Sequence, residues 1–121
     1  MINRKRLGAW GEEQAAVYLT GRGYQLLEQN VRTPHGEIDI ICNHADRLIF
    51  VEVKTRSEDF VIPPSSAVTR EKQRSMIYAA ENYVKWNYID KESRFDIITV
   101  IKKGGTYEIE HTENAFYPTL R

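Results

Sequence analysis

Two segments of the chain alternate in polarity and are rich in β-branched and aromatic residues. Residues 37–42 and 48–55 have this strand-forming composition, and residues 43–47 between them are typical of a turn. The pattern predicts a β-hairpin centred between Ala45 and Asp46.

The centre of this hairpin determines which residues lie opposite each other and share a face of the sheet. The predicted pairs are Ile40 and Val51, Ile41 and Phe50, Asp39 and Glu52, and Glu37 and Lys54. Alternation places Leu48, Ile41 and Phe50 on one face with Asp39, Glu52 and Lys54, and places Ile38, Ile40, Cys42, Ile49, Val51 and Val53 on the other. This predicts a covered sheet with a polar pocket near one edge.

A solvated ion-pair face is the alternative interpretation of these acids and the lysine. Three observations favour a site instead. Leu48 and Phe50 on the same face are seldom left exposed together. The opposed carboxylates of Asp39 and Glu52 repel each other and need a cation, and the first predicted helix offers a third acid.

That third acid is Glu12, in a helix predicted from Leu7 to Gly21. The inward stripe of this helix is predicted to contain Gly8, Glu12, Ala15, Ala16 and Leu19. A carboxylate on a packing face needs a partner, because burying it unpaired costs several kcal/mol. The alternative role of Glu12 is to complement the helix dipole near the N-terminus.

The remaining patterns complete an order of αβββαββ. A second helix is predicted from the N-cap Thr69 to about Asn87, with strands at Tyr24 to Arg32, Arg94 to Ile101 and Thr106 to His111. Asp96 is expected to form hydrogen bonds inside the fold. The polar stretch from Ser57 to Ser66 is the long loop of the chain and is predicted to be a mobile lid.

Composition narrows the class of protein. With 121 residues and 41% hydrophobic content, residues 1–121 are predicted to form one domain. The single cysteine, Cys42, suits a reducing compartment, and no apolar run is long enough for a membrane span, so we expect a cytoplasmic protein. Its 17 basic residues balance 17 acidic ones, which argues against strong nucleic-acid binding.

Motif residues of one family run through nearly the whole chain. They are Gly8-x-x-Gly11-Glu12-x-x-Ala15, Tyr18-Leu19, Gly23-Tyr24, Asn30, Gly36-Glu37-Ile38-Asp39, Phe50-Val51-Glu52-Val53-Lys54-Thr55-Arg56, Ala67-Val68-Thr69, Lys72-Gln73 and Arg94-Phe95-Asp96. With its Asp and Glu-x-Lys on successive strands, the chain resembles the restriction-endonuclease-like superfamily. It resembles more closely the bacterial YraN family, which is related in sequence pattern to archaeal Holliday junction resolvases.

The resemblance implies an α/β fold with a three-layer αβββαβ core, in which helices flank a mixed central sheet. It also implies a metal-dependent nuclease that hydrolyses phosphodiester bonds, with catalytic residues Glu12, Asp39, Glu52 and Lys54. Carboxylates of Asp39 and Glu52, the backbone carbonyl of Val53, and Glu12 directly or through water would suit Mg²⁺ or Mn²⁺. Lys54 would orient or deprotonate the attacking water.

The expected partner is nucleic acid, with DNA favoured over RNA and structure-selective cleavage in repair or recombination as the leading hypothesis. The start of the second helix suits a phosphate, and Arg56, Arg70, Lys72 and Gln73 are the predicted contacts. An ordinary solvated lysine and a buried glutamine are the alternative for that helix. The competing function is a non-catalytic nucleic-acid-binding or protein-interaction module with the same fold.

Association with other protein chains is also expected. A homodimer could use Tyr83, Trp86 and Tyr88 near the end of the second helix, although aromatic residues there are more often core. Because the net charge is neutral, a separate protein partner could supply affinity for the substrate.

Overall fold

The computed structural model describes residues 3–58 and 68–117, and these contain two helices and five strands. In chain order the elements are α1 (Arg4–Gly21), β1 (Gln25–Thr33), β2 (Gly36–His44), β3 (Arg47–Ser57), α2 (Arg70–Trp86), β4 (Glu92–Lys103) and β5 (Thr106–Phe116). The predicted order of elements is confirmed. Most of the predicted lid lies outside the described residues, and Ser57 at its start is the last residue of β3.

The five strands form one mixed sheet in the order β1-β2-β3-β4-β5. Neighbouring strands are antiparallel except β3 and β4, which are parallel. Helix α2 connects these two, since a parallel pair requires a crossover connection. Helix α1 packs on one face of the sheet and α2 on the other. This confirms the predicted α/β fold with helices flanking a mixed central sheet.

Alternation along β3 divides its residues between two hydrophobic clusters. Leu48 and Phe50 pack on the α2 side, whereas Ile49 and Val51 pack on the α1 side. The hairpin register near the turn is also as predicted, with Ile40 opposite Val51 and Ile41 opposite Phe50.

One face assignment in β2 is wrong. Ile38 packs on the α2 side, although Ile40, two residues later, packs on the α1 side. Simple alternation would put both on one face. The paired strand β1 is irregular at the same level, because Asn30 has a left-handed φ of 52° between residues that face Ile40 and Ile38. The alternation of side chains in β2 therefore changes face between Ile38 and Ile40, beside Asn30.

Helix α1 begins three residues earlier than predicted because Asn3 is its N-cap. The Asn3 side chain accepts a hydrogen bond of 2.8 Å from the backbone N–H of Arg6. The buried residues of α1 are Leu7, Gly11, Ala15 and Leu19, so the inward stripe is centred one position before the predicted one. Glu12 lies beside this stripe and is half-buried.

Gly11 allows α1 to approach β3 closely. A Cβ atom built on Gly11 would overlap the side chain of Thr55 in β3. Any larger residue would therefore push the helix away from the sheet. Because Glu12 is the next residue, this close contact also determines how near Glu12 comes to the sheet.

Asp96 in β4 is fully buried and forms the predicted hydrogen bonds inside the fold. Its two carboxylate oxygens accept hydrogen bonds from Arg94 at 2.8 and 2.9 Å, from His111 Nε2 at 2.7 Å and from the backbone N–H of Asn114 at 3.0 Å. Arg94 also donates to the hydroxyl of Tyr24 at 2.7 Å. These contacts, the Asp96 network, join β4 to β5 and to the residue that precedes β1.

The aromatic residues proposed for a homodimer differ in their surroundings. Tyr83 is half-buried and packs edge-on against Phe50. Trp86 and Tyr88 are 62% and 95% exposed. A dimer through these two residues stays a prediction. In the described part of the chain, neither helix has the length and apolar character needed to cross a membrane.

Candidate active site

Strands β2 and β3 separate at the predicted site. Their ladder runs from His44 and Arg47 to Ile40 and Val51. At the next position, the carboxylate of Asp39 accepts a hydrogen bond of 2.8 Å from the backbone N–H of Val53. A side chain of β2 thus contacts the backbone of β3 where the described ladder has ended, while β3 continues beside β4.

This separation corrects the predicted partner of Glu37. Glu37 was expected to face Lys54, but it lies opposite Arg32 of β1 and forms an ion pair of 3.3 Å with it. The reason is that the first residues of β2 pair with β1, whereas the described ladder with β3 begins only at Ile40. Glu37 is exposed and has a structural contact, although its charge still acts on Glu12.

Asp39 and Glu52 are brought together as predicted, through side chains instead of a backbone ladder. Glu52 is only 9% exposed. Burial raises the pKa of Glu52 to about 8, and the hydrogen bond to Asp39 and the charge of Asp39 contribute to the rise. Glu52 is buried and Asp39 is half-buried beside it, so the two carboxyl groups favour a bound proton or a cation.

Lys72 supplies a positive charge from α2. Its Nζ lies 3.4 Å from Oε2 of Glu52, and this ammonium acts against the rise in the pKa of Glu52. The sequence predicted Lys72 as a phosphate contact, so its contact with Glu52 is an addition. No local pattern could reveal it, because residues 52 and 72 lie on different elements.

Glu12 approaches Asp39 from the α1 side. Its pKa is raised by burial and by the charges of Asp39 and Glu37, whereas a hydrogen bond from the Asn30 side chain lowers it. Asn30 is thus a site residue that the sequence named only as part of a family motif. Its left-handed backbone is a conformation that asparagine tolerates better than most residues.

Lys54 follows Glu52 by two residues and therefore lies on the same face of β3. It is half-buried. Burial lowers the pKa of Lys54, the charge of Arg56 lowers it further, and Glu52 acts in the opposite direction. A lysine with a lowered pKa beside a carboxylate pair is suited to proton transfer.

The residues at the site fit a magnesium-like ion with few protein ligands. Within residues 3–58 and 68–117, no three His, Cys, Asp or Glu side chains converge into a metal-binding group. Asp39 and Glu52 do converge, and Mg²⁺ commonly uses one or two carboxylates and retains several waters. The N–H and C=O of one residue point to the same side of a strand. The carbonyl of Val53 therefore faces the gap beside Asp39.

The predicted nucleic-acid contacts differ in exposure and in hydrogen bonding. Arg70 is exposed at the start of α2, and Arg56 is half-buried. Gln73 donates a hydrogen bond of 3.1 Å to the carbonyl of Val68, so its amide nitrogen has a structural partner. The side chain of Thr69 caps α2 by accepting from the backbone N–H of Lys72 at 3.1 Å.

The raised pKa of Glu52 predicts a pH-dependent loss of stability. The folded state holds this proton more tightly than an unfolded chain, in which the ordinary value is 4.5. The contribution of Glu52 is therefore complete below pH 4.5 and is lost as the pH rises through about 8. In EDTA, Glu52→Gln should gain about 3–4 kcal/mol relative to wild type between pH 5 and 8.

Urea unfolding at several pH values in this range would measure the difference. Glu13→Gln is the matched control because Glu13 is exposed on α1, and its stability should follow that of wild type. If the free energies of unfolding of wild type and Glu52→Gln change in parallel with pH, the raised pKa of Glu52 is contradicted.

Comparison with known proteins places the chain in a family. A model described as "Uncharacterised protein family UPF0102" matches residues 11–100. A UPF0102 protein of Parabacteroides distasonis is 46% identical over 121 residues, which is 100% of both chains. Relatives from Bacteroides fragilis and Syntrophotalea carbinolica are each 45% identical, over 99% and 93% of each chain. The chain therefore belongs to the UPF0102 family, which is the YraN family of the motif residues above.

Proposed function

We propose that this protein is a metal-dependent nuclease that hydrolyses phosphodiester bonds. The observation that carries the proposal is the contact of half-buried Asp39 with buried Glu52 where β2 separates from β3, with Lys54 on the same face of β3. Two carboxylates in contact, one of them buried, need a cation, and a nearby lysine supplies a proton-transfer group.

The metal ion would be Mg²⁺ or Mn²⁺, held by Asp39, Glu52 and the Val53 carbonyl. When bound, such an ion activates a water molecule and neutralises charge on the phosphate. The hydrogen bond from the Val53 N–H fixes the orientation of the Asp39 carboxylate. Glu12 acts through a water or a second ion, and Asn30 holds its side chain.

Lys54 has two roles in the proposed reaction. Because its pKa is lowered, a larger fraction of Lys54 is the neutral amine, which can accept the proton of the attacking water. In its charged form, it stabilises the negative charge that develops on the phosphoryl oxygens.

The proposed substrate is DNA in preference to RNA, with branched or damaged structures favoured by the resemblance to Holliday junction resolvases. Arg56, Arg70 and Lys72 lie on the elements that form the site and are the proposed phosphate contacts. The neutral net charge predicts weak and salt-sensitive binding, so a protein partner or a homodimer would add affinity.

A second candidate is a binding module that does not cleave its ligand. The balance of 17 basic and 17 acidic residues and the lack of a three-ligand group among the described residues favour it. The combination of Asp39, Glu52 and Lys54 favours the nuclease, because simple binding does not require two carboxylates in contact beside a lysine.

A cleavage panel distinguishes the two functions. The substrates are a four-way junction, a flap, single-stranded DNA, duplex DNA and RNA, each with Mg²⁺ or Mn²⁺. Wild type should cut at least one of them. Glu52→Ala should lower the rate about 10²–10³-fold, the usual loss for a group that stabilises the transition state.

Glu13→Ala is the control, since Glu13 is an exposed acid next to Glu12, and it should retain full activity. Equal cleavage rates for wild type and Glu52→Ala would show that the activity does not depend on Glu52. Binding of nucleic acid without cleavage by either protein would support the binding module.

A further inference from the structure

We propose that Lys72 is the internal counter-ion of the Asp39 and Glu52 pair and that a metal ion must displace it to bind. This inference rests on the proposed function, because it concerns the same metal site. It gives Lys72 a role beyond phosphate contact, namely control of the metal affinity.

The position of Lys72 supports this role. Its Nζ lies 3.4 Å from Oε2 of Glu52, and its side chain is 39% exposed while that of Glu52 is 11% exposed. Lys72 is therefore the more exposed partner of this ion pair. An ion that approaches Glu52 from this side meets a like charge.

The backbone of Lys72 is held at the start of α2, whereas its long side chain has rotatable bonds up to the ammonium group. Thr69 caps the helix at the N–H of Lys72, and Met76, one turn later, is fully buried. The lysine stem has four flexible carbons. The contact of 3.4 Å is also longer than a strong charge-assisted hydrogen bond of about 2.7–2.9 Å. Displacement therefore needs rotation of one side chain and no movement of the helix.

Competition follows from the charges. Without metal, the ammonium of Lys72 partly neutralises the carboxylate of Glu52. With metal bound at Glu52, the ion would have the same sign of charge as Lys72 at short range. Removing the charge of Lys72 should therefore lower the stability of the metal-free protein and raise its affinity for metal.

Calorimetric titration with Mg²⁺ at pH 9 tests this, because protons then compete little with the metal for Glu52. Lys72→Gln should bind Mg²⁺ about fivefold more tightly than wild type, the scale of a partly exposed ion pair. Arg74→Gln is the matched control. It removes the same charge from α2, but residue 74 is about 200° around the helix from residue 72, and the affinity should stay within twofold of wild type.

Thermal melting provides a second measurement that a purely structural lysine would not reproduce. In EDTA at pH 9, where Glu52 is ionised, Lys72→Gln should melt below wild type because the carboxylate has lost its counter-ion. In excess Mg²⁺ this gap should close, because the variant gains more from the metal. Lys72→Arg keeps the charge and should resemble wild type in both conditions.

The outcomes separate this inference from the proposed function. Equal or weaker Mg²⁺ binding by Lys72→Gln, with normal binding by wild type, overturns the role of Lys72 and leaves the metal site intact. If neither protein binds Mg²⁺ or Mn²⁺, both proposals fail. Binding by Lys72→Gln alone would support strong competition by Lys72.

Discussion

Lys54→Met should lower the cleavage rate constant about 10²–10³-fold while metal affinity stays close to that of wild type. The size is that of removing one group that stabilises charge in the transition state. The affinity should remain because Asp39, Glu52 and the Val53 carbonyl are unchanged, and loss of a nearby positive charge does not weaken cation binding. Single-turnover cleavage and calorimetry would measure the two quantities separately.

Lys102→Met is the control for this variant. Lys102 lies on the neighbouring strand β4, and its Nζ donates to the carbonyl of Gly104 in a turn remote from the carboxylates. Its cleavage rate should be that of wild type. Less than a tenfold loss in Lys54→Met would exclude Lys54 from the chemical step. Loss of metal binding together with a lower melting temperature would instead show a structural role.

Asp96→Ala should lower the free energy of unfolding by about 3–5 kcal/mol, the usual cost of breaking a buried ion pair. The side chain is fully buried, and its removal leaves Arg94 and His111 without the oxygens that accept their hydrogen bonds. The melting temperature should fall by at least about 10 °C. Urea denaturation at pH 7 would measure the loss.

The pH dependence of Asp96→Ala provides a check on the mechanism. Burial alone would raise the pKa of Asp96, but hydrogen bonds from His111, Arg94 and the Asn114 N–H outweigh it and hold the pKa below its usual value. Its stabilisation is therefore present above the unfolded value of 3.8 and is lost as the pH falls through the folded value. The difference from wild type should shrink in acid. Asp90→Asn, at an exposed acid, should change stability by less than about 0.5 kcal/mol.

Much of the fold could be predicted because its signals are local. Alternation in residues 48–51 assigns each side chain to a face, and the turn at Ala45 and Asp46 determines the register near it. Thr69 marks the start of α2 because its side chain can cap the helix. Each of these features depends on residues within a few positions of each other.

The two errors in β2 occurred where a distant partner changes a local rule. Ile38 lies on the opposite face from Ile40 because the alternation in β2 is interrupted beside Asn30 of β1. Glu37 was assigned to Lys54 by extending the hairpin, but the described ladder ends at Ile40 and Val51. A sequence pattern cannot show where two strands part, because the separation depends on the whole sheet.

The sequence by itself determined the order of the elements, the register near the hairpin turn, and the acids and lysine available for a site. These follow from periodicity and residue type. Only the tertiary structure decided that Asp39 binds the Val53 N–H, that Lys72 contacts Glu52 and that Asn30 holds Glu12. These contacts join residues far apart in the chain, and their energies depend on burial, which exists only after the layers have packed.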